Sequence, residues 1–369
     1  MQNSSIQSKP IPKAEFLDRA LKNIVQKTIS LILKAGIIIA AFGFIYNQLF
    51  VKQDLYSIKV FASSVLTSLF DYLLLGVVVL FMGVNWGLET KKWHFLICKF
   101  EKISFQKALK AVFAGTCISI FTPNRVGEFG GRIFYLKKAD RIQAILATII
   151  GNIGQLIITI ILGSCSFVFY LMIYSEIELG KYQTFGILIA LFALVVTLIY
   201  LFLNANKITQ LLNRFSIISR LKLKAKNIKK WEKYTSVFSL YTRAELITVL
   251  VLCFARYLVF CLQFFILLYV FEVKTPFAET MAMISLSFFV LAIVPTVALT
   301  EIGVRGSISL FFIGLLSDNG LGIITASLSL WIINLVVPAI IGSYFITGLT
   351  FFRKKHNLLS FKNRLMQNS

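Results

Sequence analysis

The segment FTPNRVGEFGGR at 121–132 gathers the residue types that could do chemistry in this sequence. It holds Arg125, Glu128 and Arg132 directly after a long apolar run. Arginine recognises phosphate and carboxylate groups through paired, charge-assisted hydrogen bonds. Glu128 and Arg132 are four residues apart, so on a helix they would share a face and could form an ion pair. Two alternatives follow: an ion pair that holds the local structure closed, and a binding site for an anionic group.

A second segment, IVPTVALTEIGVRG at 293–306, repeats the order of proline, glutamate and arginine around a glycine. Its Glu301 and Arg305 have the same spacing as the first pair. Two matching groups of charge are harder to explain as local structure alone, because charge at membrane depth usually marks a pathway or a site. We therefore predict one substrate-binding set, whose resting ion pairs can open for a charged ligand. Its members are Arg125, Glu128, Arg132, Glu301 and Arg305.

Prolines and glycines accompany the charged residues of both segments. A proline removes a backbone donor and clashes with the preceding turn, so Pro123 should end the helix that leads into the first segment. Glycine permits tight reversals and close backbone packing, and three glycines follow in the same segment. We predict structural or hinge roles for Pro123, Gly127, Gly130, Gly131, Pro295 and Gly303.

The surrounding sequence has the composition of a membrane protein. Of its 369 residues, 57% are hydrophobic and 15% are charged. The apolar run at 144–174 exceeds the roughly 20 residues that cross a bilayer as a helix. The first apolar run starts near Ile29, after a basic segment and without a small-residue cleavage site behind it, so we expect this helix to be retained.

The sequence lacks the motifs of metal, nucleotide and hydrolytic sites. Its five cysteines have no CxxC spacing, and most lie in apolar segments, where cysteine behaves as a small apolar residue. Its two histidines lie in basic flanks, and no phosphate-binding glycine motif is present. We therefore predict no cofactor and no metal. The net charge of +22 lies mainly in loops, which favours contact with anionic lipid over binding of nucleic acid.

Six apolar segments are long enough for transmembrane helices: 29–50, 62–86, 142–173, 183–203, 244–271 and 322–351. Lysine and arginine decide their orientation, because cytoplasmic loops carry an excess of both. If the N-terminus is cytoplasmic, 30 of these residues lie in cytoplasmic segments and 4 in outer ones. We therefore predict a multi-pass protein of the cytoplasmic (inner) membrane with the N-terminus and the C-terminus in the cytoplasm.

Two further apolar regions, 103–136 and 277–316, are interrupted by proline, glycine and charge. The second arm of the first region has 11 residues, and at about 1.5 Å per residue it cannot cross a core of roughly 30 Å. We predict two re-entrant helical hairpins, the first inserted from the cytoplasmic side and the second from the outer side. The fold class is then all-α, with about six full transmembrane helices and two oppositely inserted hairpins.

The order helix, helix, hairpin, helix occurs twice, first from the inside outward and then from the outside inward. Such an inverted-topology repeat is typical of secondary transporters, whose substrate sites lie near the midplane of the membrane. We divide the chain into a basic cytoplasmic N-terminus at 1–28, a first repeat at 29–173, a second repeat at 183–351 with a basic cytoplasmic loop at 204–243, and a basic tail at 352–369.

Asp71 and Arg256 each lie within the second long helix of a half, near the middle of the bilayer. We predict that they pair across the interface between the halves, either to lock a conformation or to take part in a transport cycle. The basic segment 89–110 contains Trp93, which we expect at the level of the lipid headgroups.

TPNRVGEFGGR, together with the later VPTVALTEIGVRGSISLFF, resembles the flippase-like transmembrane region of the lysylphosphatidylglycerol synthase family of bacterial and archaeal membrane proteins. The resemblance extends from about Leu31 to Phe352. It implies a role in moving aminoacylated or other lipids between leaflets. Some members join this region to an aminoacyl transferase or glycosyltransferase domain. Because only a basic tail follows the last helix here, we expect a stand-alone flippase-like protein without the synthase domain.

The resemblance assigns functional residues only where the two motifs match: Pro123, Gly127, Glu128 and Arg132 in the first, and Glu301, Gly303 and Arg305 in the second. The second motif lacks the glycine-rich run associated with the lipid-modifying members of the family. This difference leaves the lipid substrate open.

The leading hypothesis is a transporter that moves a lipid across the cytoplasmic membrane. Its substrate would be an anionic or aminoacylated phospholipid or a lipid-linked precursor, with the headgroup at the substrate-binding set and the tails in lipid. No ATP-binding motif is present, so a gradient or no energy source would drive the movement. One alternative is an intramembrane enzyme that acts on a lipid headgroup, with Glu128 or Glu301 as acid or base. Another is a partner subunit of a separate lipid-modifying enzyme or glycosyltransferase, and a homo-oligomer is compatible with all three.

Overall fold

The computed structural model describes residues 66–120, 122, 125–174, 180–204, 234, 236–294 and 298–346. In these residues every regular element is a helix, as predicted. Five helices are long and apolar enough, by length and composition, to cross a membrane: Leu69–Ile97, Arg141–Ile173, Tyr182–Leu203, Arg243–Val270 and Gly320–Ile346. They correspond to five of the six predicted spans. Four predicted segments lie outside the described residues. They are the N-terminus (1–28), the sixth span (29–50), most of the basic loop (205–233) and the tail (352–369).

Helix α1 (Leu69–Ile97) begins and ends later than the predicted span 62–86. A capping box starts it, because the Ser68 hydroxyl accepts from the Asp71 N–H and the Asp71 carboxylate accepts from the Ser68 N–H. The helix then continues through a polar stretch that is buried inside the protein and includes Glu89. The helix therefore extends beyond the predicted apolar segment, because burial against other helices, and not contact with water, accommodates these polar side chains.

The predicted pair of Asp71 and Arg256 is also wrong. Asp71 lies in the first turn of α1, where its carboxylate accepts hydrogen bonds from Ser68. Arg256 instead contacts Glu89, with 3.2 Å between Nη1 and Oε2. Glu89 follows Asp71 by 18 residues on the same helix. That separation is about 27 Å along the helix axis, too far for one arginine side chain to reach both carboxylates.

Helices α2 (Phe105–Ile120) and α3 (Gly127–Ile133) lie in the first predicted hairpin region and pack along each other. Two glycines of α3 permit their close contact. A Cβ atom on Gly131 would lie 2.4 Å from the Cα atom of Gly115, and one on Gly127 would lie 2.6 Å from a carbonyl oxygen of α2. Both distances are too short for a side chain, so the contact between α2 and α3 requires glycine at these two positions.

The third glycine and the chain reversal differ from the prediction. A Cβ atom on Gly130 would meet no atom of the described residues within 4 Å, so their packing does not require a glycine there. Among the described residues no glycine has a positive φ, whereas Arg125 has a φ of 57°. The left-handed conformation before α3 therefore belongs to an arginine, which costs backbone strain that a glycine would avoid. Pro123, which was predicted to end the preceding helix, lies outside the described residues.

Glu101, just before α2, forms hydrogen bonds with the chain just after α3 and so connects the two ends of this hairpin. Its carboxylate accepts hydrogen bonds from the backbone N–H groups of Lys137, Lys138 and Ala139, at 3.1, 2.6 and 2.9 Å. Lys107 Nζ donates to it at 3.2 Å. Burial raises the pKa of Glu101, but the hydrogen bonds outweigh this effect and lower the pKa to about 2. The chain therefore enters and leaves the hairpin at adjacent points.

Helix α4 (Arg141–Ile173) ends the first predicted repeat, and the second predicted repeat follows it. Its helices are α5 (Lys181–Leu203), a short 3-10 turn (Ser236–Ser239), α6 (Arg243–Val270), the pair α7 (Phe277–Ile293) and α8 (Ala298–Ile313), and α9 (Gly320–Trp331). A π-helical segment, Ile332–Val336, joins α9 to α10 (Val337–Ile346). It precedes Pro338, which has no N–H to continue the regular hydrogen-bond ladder. The predicted Pro295, between α7 and α8, lies outside the described residues.

The two halves pack against each other in a reciprocal pattern. Helices α1 and α6 form an extensive interface with each other. The first helix of each hairpin packs on the last long helix of the other half, α2 on α10 and α7 on α4. A glycine permits each of these contacts, since Gly342 meets the Phe113 carbonyl and Gly163 meets the Phe289 side chain. Each hairpin is thereby supported by the opposite half of the chain.

The interior and the exterior are both apolar. The interior cluster joins α1, α4, α6, α7 and α9, and it includes Leu246, Leu267, Leu268, Met283, Ile284 and Ile323. On the exterior, Phe185 and Phe192 of α5 are 64% and 71% exposed. Exposed aromatic side chains of this size along a helix suit contact with lipid. The chain is therefore a multi-pass membrane protein, as the sequence predicts.

Candidate functional site

Arg132 lies at the centre of the first group of ion pairs. It belongs to α3, and its side chain is 1% exposed. Its Nη2 atom contacts Glu128, one turn earlier, and donates to Oε1 of Glu89 at 2.9 Å. The predicted pair of Glu128 and Arg132 is confirmed. Glu89, which belongs to α1, is a partner that sequence analysis missed.

Glu89 brings together cations from three helices. Its Oε2 atom lies 2.6 Å from Nζ of Lys92 in α1 and 3.2 Å from Nη1 of Arg256 in α6. Its Oε1 atom accepts from Arg132 in α3. From the sequence, Glu89 and Lys92 are predicted to lie in a cytoplasmic flank, because they follow an apolar run and precede further basic residues. The signal that could have found them is the spacing of Asn85, Glu89 and Lys92, which repeats polar residues on one face of a continuing helix.

Glu301 is the acidic centre of a second group, which joins the two hairpins. Its Oε1 atom accepts from Nη2 of Arg305 at 2.7 Å, as the spacing predicts. Both of its carboxylate oxygens also lie 2.8 Å from Nη2 of Arg125. The reversal before α3 therefore contacts the first turn of α8. Glu301 is buried, whereas the side chain of Arg125 is 44% exposed and can reach a ligand from its place at the carboxylate.

The two groups together hold more positive than negative charge. Their cations are Lys92, Arg125, Arg132, Arg256 and Arg305, and their carboxylates are Glu89, Glu128 and Glu301. Among the described residues, five cations thus face three carboxylates, an excess of two positive charges. Because buried charge without a counter-charge is costly, such a cluster attracts an anion.

Two adjacent cavities open beside these groups. The first has a volume of about 290 Å³ and is lined mainly by polar side chains, among them Glu89, Thr116, Arg125, Glu128, Arg132 and Asn152. The second has a volume of about 280 Å³ and adds aromatic side chains to Arg305, namely Tyr257, Phe260 and Phe288. Arg125, Gln155, Thr159 and Arg256 line both. We call the first cavity the polar lobe and the second the aromatic lobe.

Several buried N–H groups of residues that line the lobes have no hydrogen-bond partner within the described part of the chain. They are Nε of Arg132, Nε of Arg256, Nε and Nη1 of Arg305, and Nε1 of Trp86. A buried donor without an acceptor costs about 1–3 kcal/mol. These donors match a ligand that is rich in acceptor oxygens, such as a phosphate or a carboxylate.

The π-helical segment brings a further polar contact to the same region. The Asn334 Oδ1 atom accepts from Nδ2 of Asn85 in α1, at 3.0 Å. Asn85 lines the aromatic lobe, and its own Oδ1 is buried without a partner among the described residues. Short π-helical segments are frequent at functional sites. Neither asparagine was predicted: Asn85 belongs to the polar spacing with Glu89 and Lys92, whereas Asn334 is an amide in an apolar run with no such pattern.

Trp93, which is predicted at the level of the lipid headgroups, faces the interior of the protein and not the lipid. It is 1% exposed, and its Nε1 donates to the Thr148 hydroxyl at 3.0 Å.

Gly303 is buried in α8 between Glu301 and Arg305, and its carbonyl accepts from the Ser307 hydroxyl at 3.0 Å. In the described ranges, no group of three or more histidine, cysteine or acidic side chains could hold a metal ion.

Comparison with known proteins gives one family. The family model described as "Lysylphosphatidylglycerol synthase TM region" matches residues 31–342, which covers most of the chain and all of the charged groups described above. No curated protein and no solved structure matches the chain.

Proposed function

This chain belongs to the family of the lysylphosphatidylglycerol synthase transmembrane region, and on that premise we propose that it binds a lipid headgroup and carries it between the leaflets of the cytoplasmic membrane. The observation that carries this proposal is the contact between two hairpins at a buried site with excess positive charge and unpartnered N–H donors. The headgroup occupies the lobes, and the acyl chains stay beside the exposed apolar faces of the helices.

Both hairpins are re-entrant in this proposal. Helix α3 has 7 residues and α2 has 16, which give lengths of about 10 and 24 Å against a hydrocarbon core of about 30 Å. The contacts of Glu101 with the turn after α3 support entry and exit on one face. The basic residues around this turn support a cytoplasmic position for that face, and in this proposal both termini lie on the same side. The second hairpin then enters from the outer face.

The two halves form an inverted-topology repeat. Almost the same number of residues separates the starts of matching helices: Leu69 from Arg243, Phe105 from Phe277, and Gly127 from Ala298. The packing of α2 on α10 and of α7 on α4 supports the same relation, because a twofold axis converts one contact into the other. Transporters of this kind hold the substrate near the midplane, between broken helices.

The contact between Arg125 and Glu301 gives the carrier a means of opening. Arg125 lines both lobes, and in the resting state it also bridges the two hairpins. A headgroup that binds Arg125 competes with Glu301 for the same guanidinium. Binding therefore weakens the link between the hairpins and favours their separation, which can expose the lobes to the other face.

We propose transport and not catalysis because the carboxylates already have partners. Glu89 contacts three cations, Glu301 contacts two, and Glu128 contacts Arg132. A general acid or base must exchange a proton with the substrate, and each of these groups would first have to leave its ion pairs.

A lipid-movement assay tests the proposal. The full chain is placed in vesicles of phosphatidylethanolamine and phosphatidylglycerol that contain a fluorescent phosphatidylglycerol, and an impermeant reductant removes the fluorescence of the outer leaflet. We expect the wild type to bring the inner-leaflet label to the outside. Arg125→Gln should slow this movement by about tenfold or more, because it loses a charge-assisted contact.

Lys91→Gln is the matched control, since Lys91 is an exposed residue of α1 that lines neither lobe. It should keep the wild-type rate. The same assay is repeated with a fluorescent lysylphosphatidylglycerol. If the wild type moves neither lipid faster than protein-free vesicles do, the result would contradict the proposal and favour a role as a partner subunit of a separate enzyme.

A further inference from the structure

We infer that the lobes select a lipid whose headgroup carries net negative charge on phosphate, and that they discriminate against the aminoacylated headgroup named in the family description. This inference rests on the proposed function and concerns which headgroup the same site takes. The ligand class is a phosphate-bearing amphiphile, such as a phosphomonoester or pyrophosphate lipid.

The charge balance of the site is the first argument. Its excess of two positive charges is set by side chains that are mostly buried, with exposures of 1% for Arg132, 3% for Lys92 and 10% for Arg305. Water and salt screen such charges poorly. A ligand with net negative charge lowers the electrostatic energy of the cluster, and a ligand without it does not. Lysylphosphatidylglycerol has two amino groups and one phosphodiester, so it brings no net negative charge.

The occupancy of the carboxylates is the second argument. An ammonium group of an aminoacyl lipid would need a carboxylate partner inside the lobes. Glu89 and Glu301 are buried and shared by several cations, and Glu128 already contacts Arg132. The ammonium group would have to displace an arginine, and the displaced guanidinium would then be buried next to a second cation. Like charges placed together in this way act against the wrong ligand.

The unpartnered donors are the third argument. Arg132, Arg256 and Arg305 each have at least one buried N–H without an acceptor among the described residues. Phosphate oxygens accept several hydrogen bonds at once, and arginine presents donors in the matching geometry. The two amino groups of lysylphosphatidylglycerol are donors themselves, so only its phosphodiester and ester oxygens could accept from these N–H groups.

The aromatic lobe identifies the phosphate as part of a lipid and not as a free anion. It adjoins the polar lobe through shared residues, and its lining includes Phe260, Phe288 and Leu291. Inorganic phosphate has no apolar surface to place there. An amphiphile gains from both lobes, with phosphate oxygens at the arginines and the first carbons of its apolar part against the aromatic side chains.

Ligand binding by the purified full-length chain in a non-ionic detergent tests the inference. Isothermal titration compares dihexanoyl phosphatidic acid, dihexanoyl phosphatidylcholine, a short-chain lysylphosphatidylglycerol and inorganic phosphate. We expect phosphatidic acid to bind about tenfold or more tightly than each of the other three, because only it combines net negative charge with an apolar part. Equal or tighter binding of the lysylated lipid would overturn the inference. Equal binding of inorganic phosphate would overturn the lipid part of it.

Arg305→Gln removes one cation of the site and leaves Arg125 to pair with Glu301. It should weaken the binding of phosphatidic acid by about tenfold or more, and it should leave phosphatidylcholine nearly unchanged. Lys91→Gln, which removes an exposed cation outside the lobes, should bind both lipids as the wild type does. Arg305→Lys is the conservative variant, because it keeps the positive charge. It should retain more of the affinity for phosphatidic acid than Arg305→Gln does. Equal affinities for phosphatidic acid in the Arg305→Gln and Lys91→Gln variants would overturn the assignment.

The binding series and the lipid-movement assay fail in different ways. If no lipid moves in vesicles, the proposed transport is contradicted, while the order of affinities still decides the preference of the lobes. If the lysylated lipid moves and the anionic lipids do not, transport stands and the inferred headgroup class is wrong.

Discussion

Glu89 is the side chain on which most of the buried charge depends. One carboxylate contacts Lys92, Arg132 and Arg256, which belong to three different helices. Without it, Arg132 keeps Glu128, but the other two cations lose the contact that offsets their burial. A broken buried ion pair is costly because the remaining charge has no counter-charge.

Glu89→Gln should therefore lower the free energy of unfolding by about 3–5 kcal/mol. Thermal unfolding in detergent micelles, followed by circular dichroism, measures the change as a lower Tm. Glu272→Gln is the control, because Glu272 pairs with Lys274 on the surface at 2.7 Å, and such pairs contribute about 0–1 kcal/mol. Equal Tm values for the two variants would show that Glu89 does not organise the buried cluster.

Sequence spacing could predict the ion pairs within one helix but not those between helices. Glu128–Arg132 and Glu301–Arg305 are visible because a spacing of four is a property of the helix itself. Glu89 is 43 residues from Arg132, and Arg125 is 176 residues from Glu301. These contacts depend on how the helices pack, and one sequence carries no local sign of that. The wrong pairing of Asp71 with Arg256 has the same origin.

At the scale of the helices, packing between α2 and α3 fixes the position of the chain reversal before α3, which contains Arg125. Gly115 and Gly131 face each other so closely that neither has room for a Cβ atom. The glutamate and arginine of α3 point into the cluster because the glycine face lies against α2. The neighbouring Gly130 faces open space.

Gly131→Ala and Gly130→Ala form a matched pair on the same short helix. A Cβ atom at 131 would have to push α2 and α3 apart, which we expect to cost about 1–3 kcal/mol and to lower both Tm and lipid movement. Gly130→Ala should be neutral or stabilising by up to about 1 kcal/mol, because alanine favours the helix. Equal Tm values for the two variants would contradict the close packing.

The long helices could be predicted because their apolar runs have the length of a membrane span. The end of α1 could not, since Glu89 and Lys92 look like a solvated flank until the helices that bury them are known. Gly127 and Gly131 could be predicted from residue type, but the left-handed conformation at Arg125 could not, because arginine has no preference for it.

For the whole molecule, the proposed carrier follows from the relation between its halves. Each hairpin packs on the last long helix of the other half, and the two hairpins meet through Arg125 and Glu301. The sequence predicts two hairpins in an inverted repeat, through its repeated motif and its distribution of lysine and arginine, but it predicts neither of these contacts. It does not predict the lobes, because their walls combine side chains from both halves.

Side-specific labelling of single cysteines tests most directly whether the two hairpins enter from opposite faces. The five native cysteines are first replaced, and intact and inverted vesicles are treated with an impermeant maleimide. We predict that Lys102→Cys and Lys138→Cys, which flank the first hairpin, react only from the cytoplasmic face. Lys274→Cys and Asp318→Cys, which flank the second, should react only from the outer face. Reaction of the first two from opposite faces would mean that α2 and α3 cross the membrane completely, and it would contradict the proposed carrier.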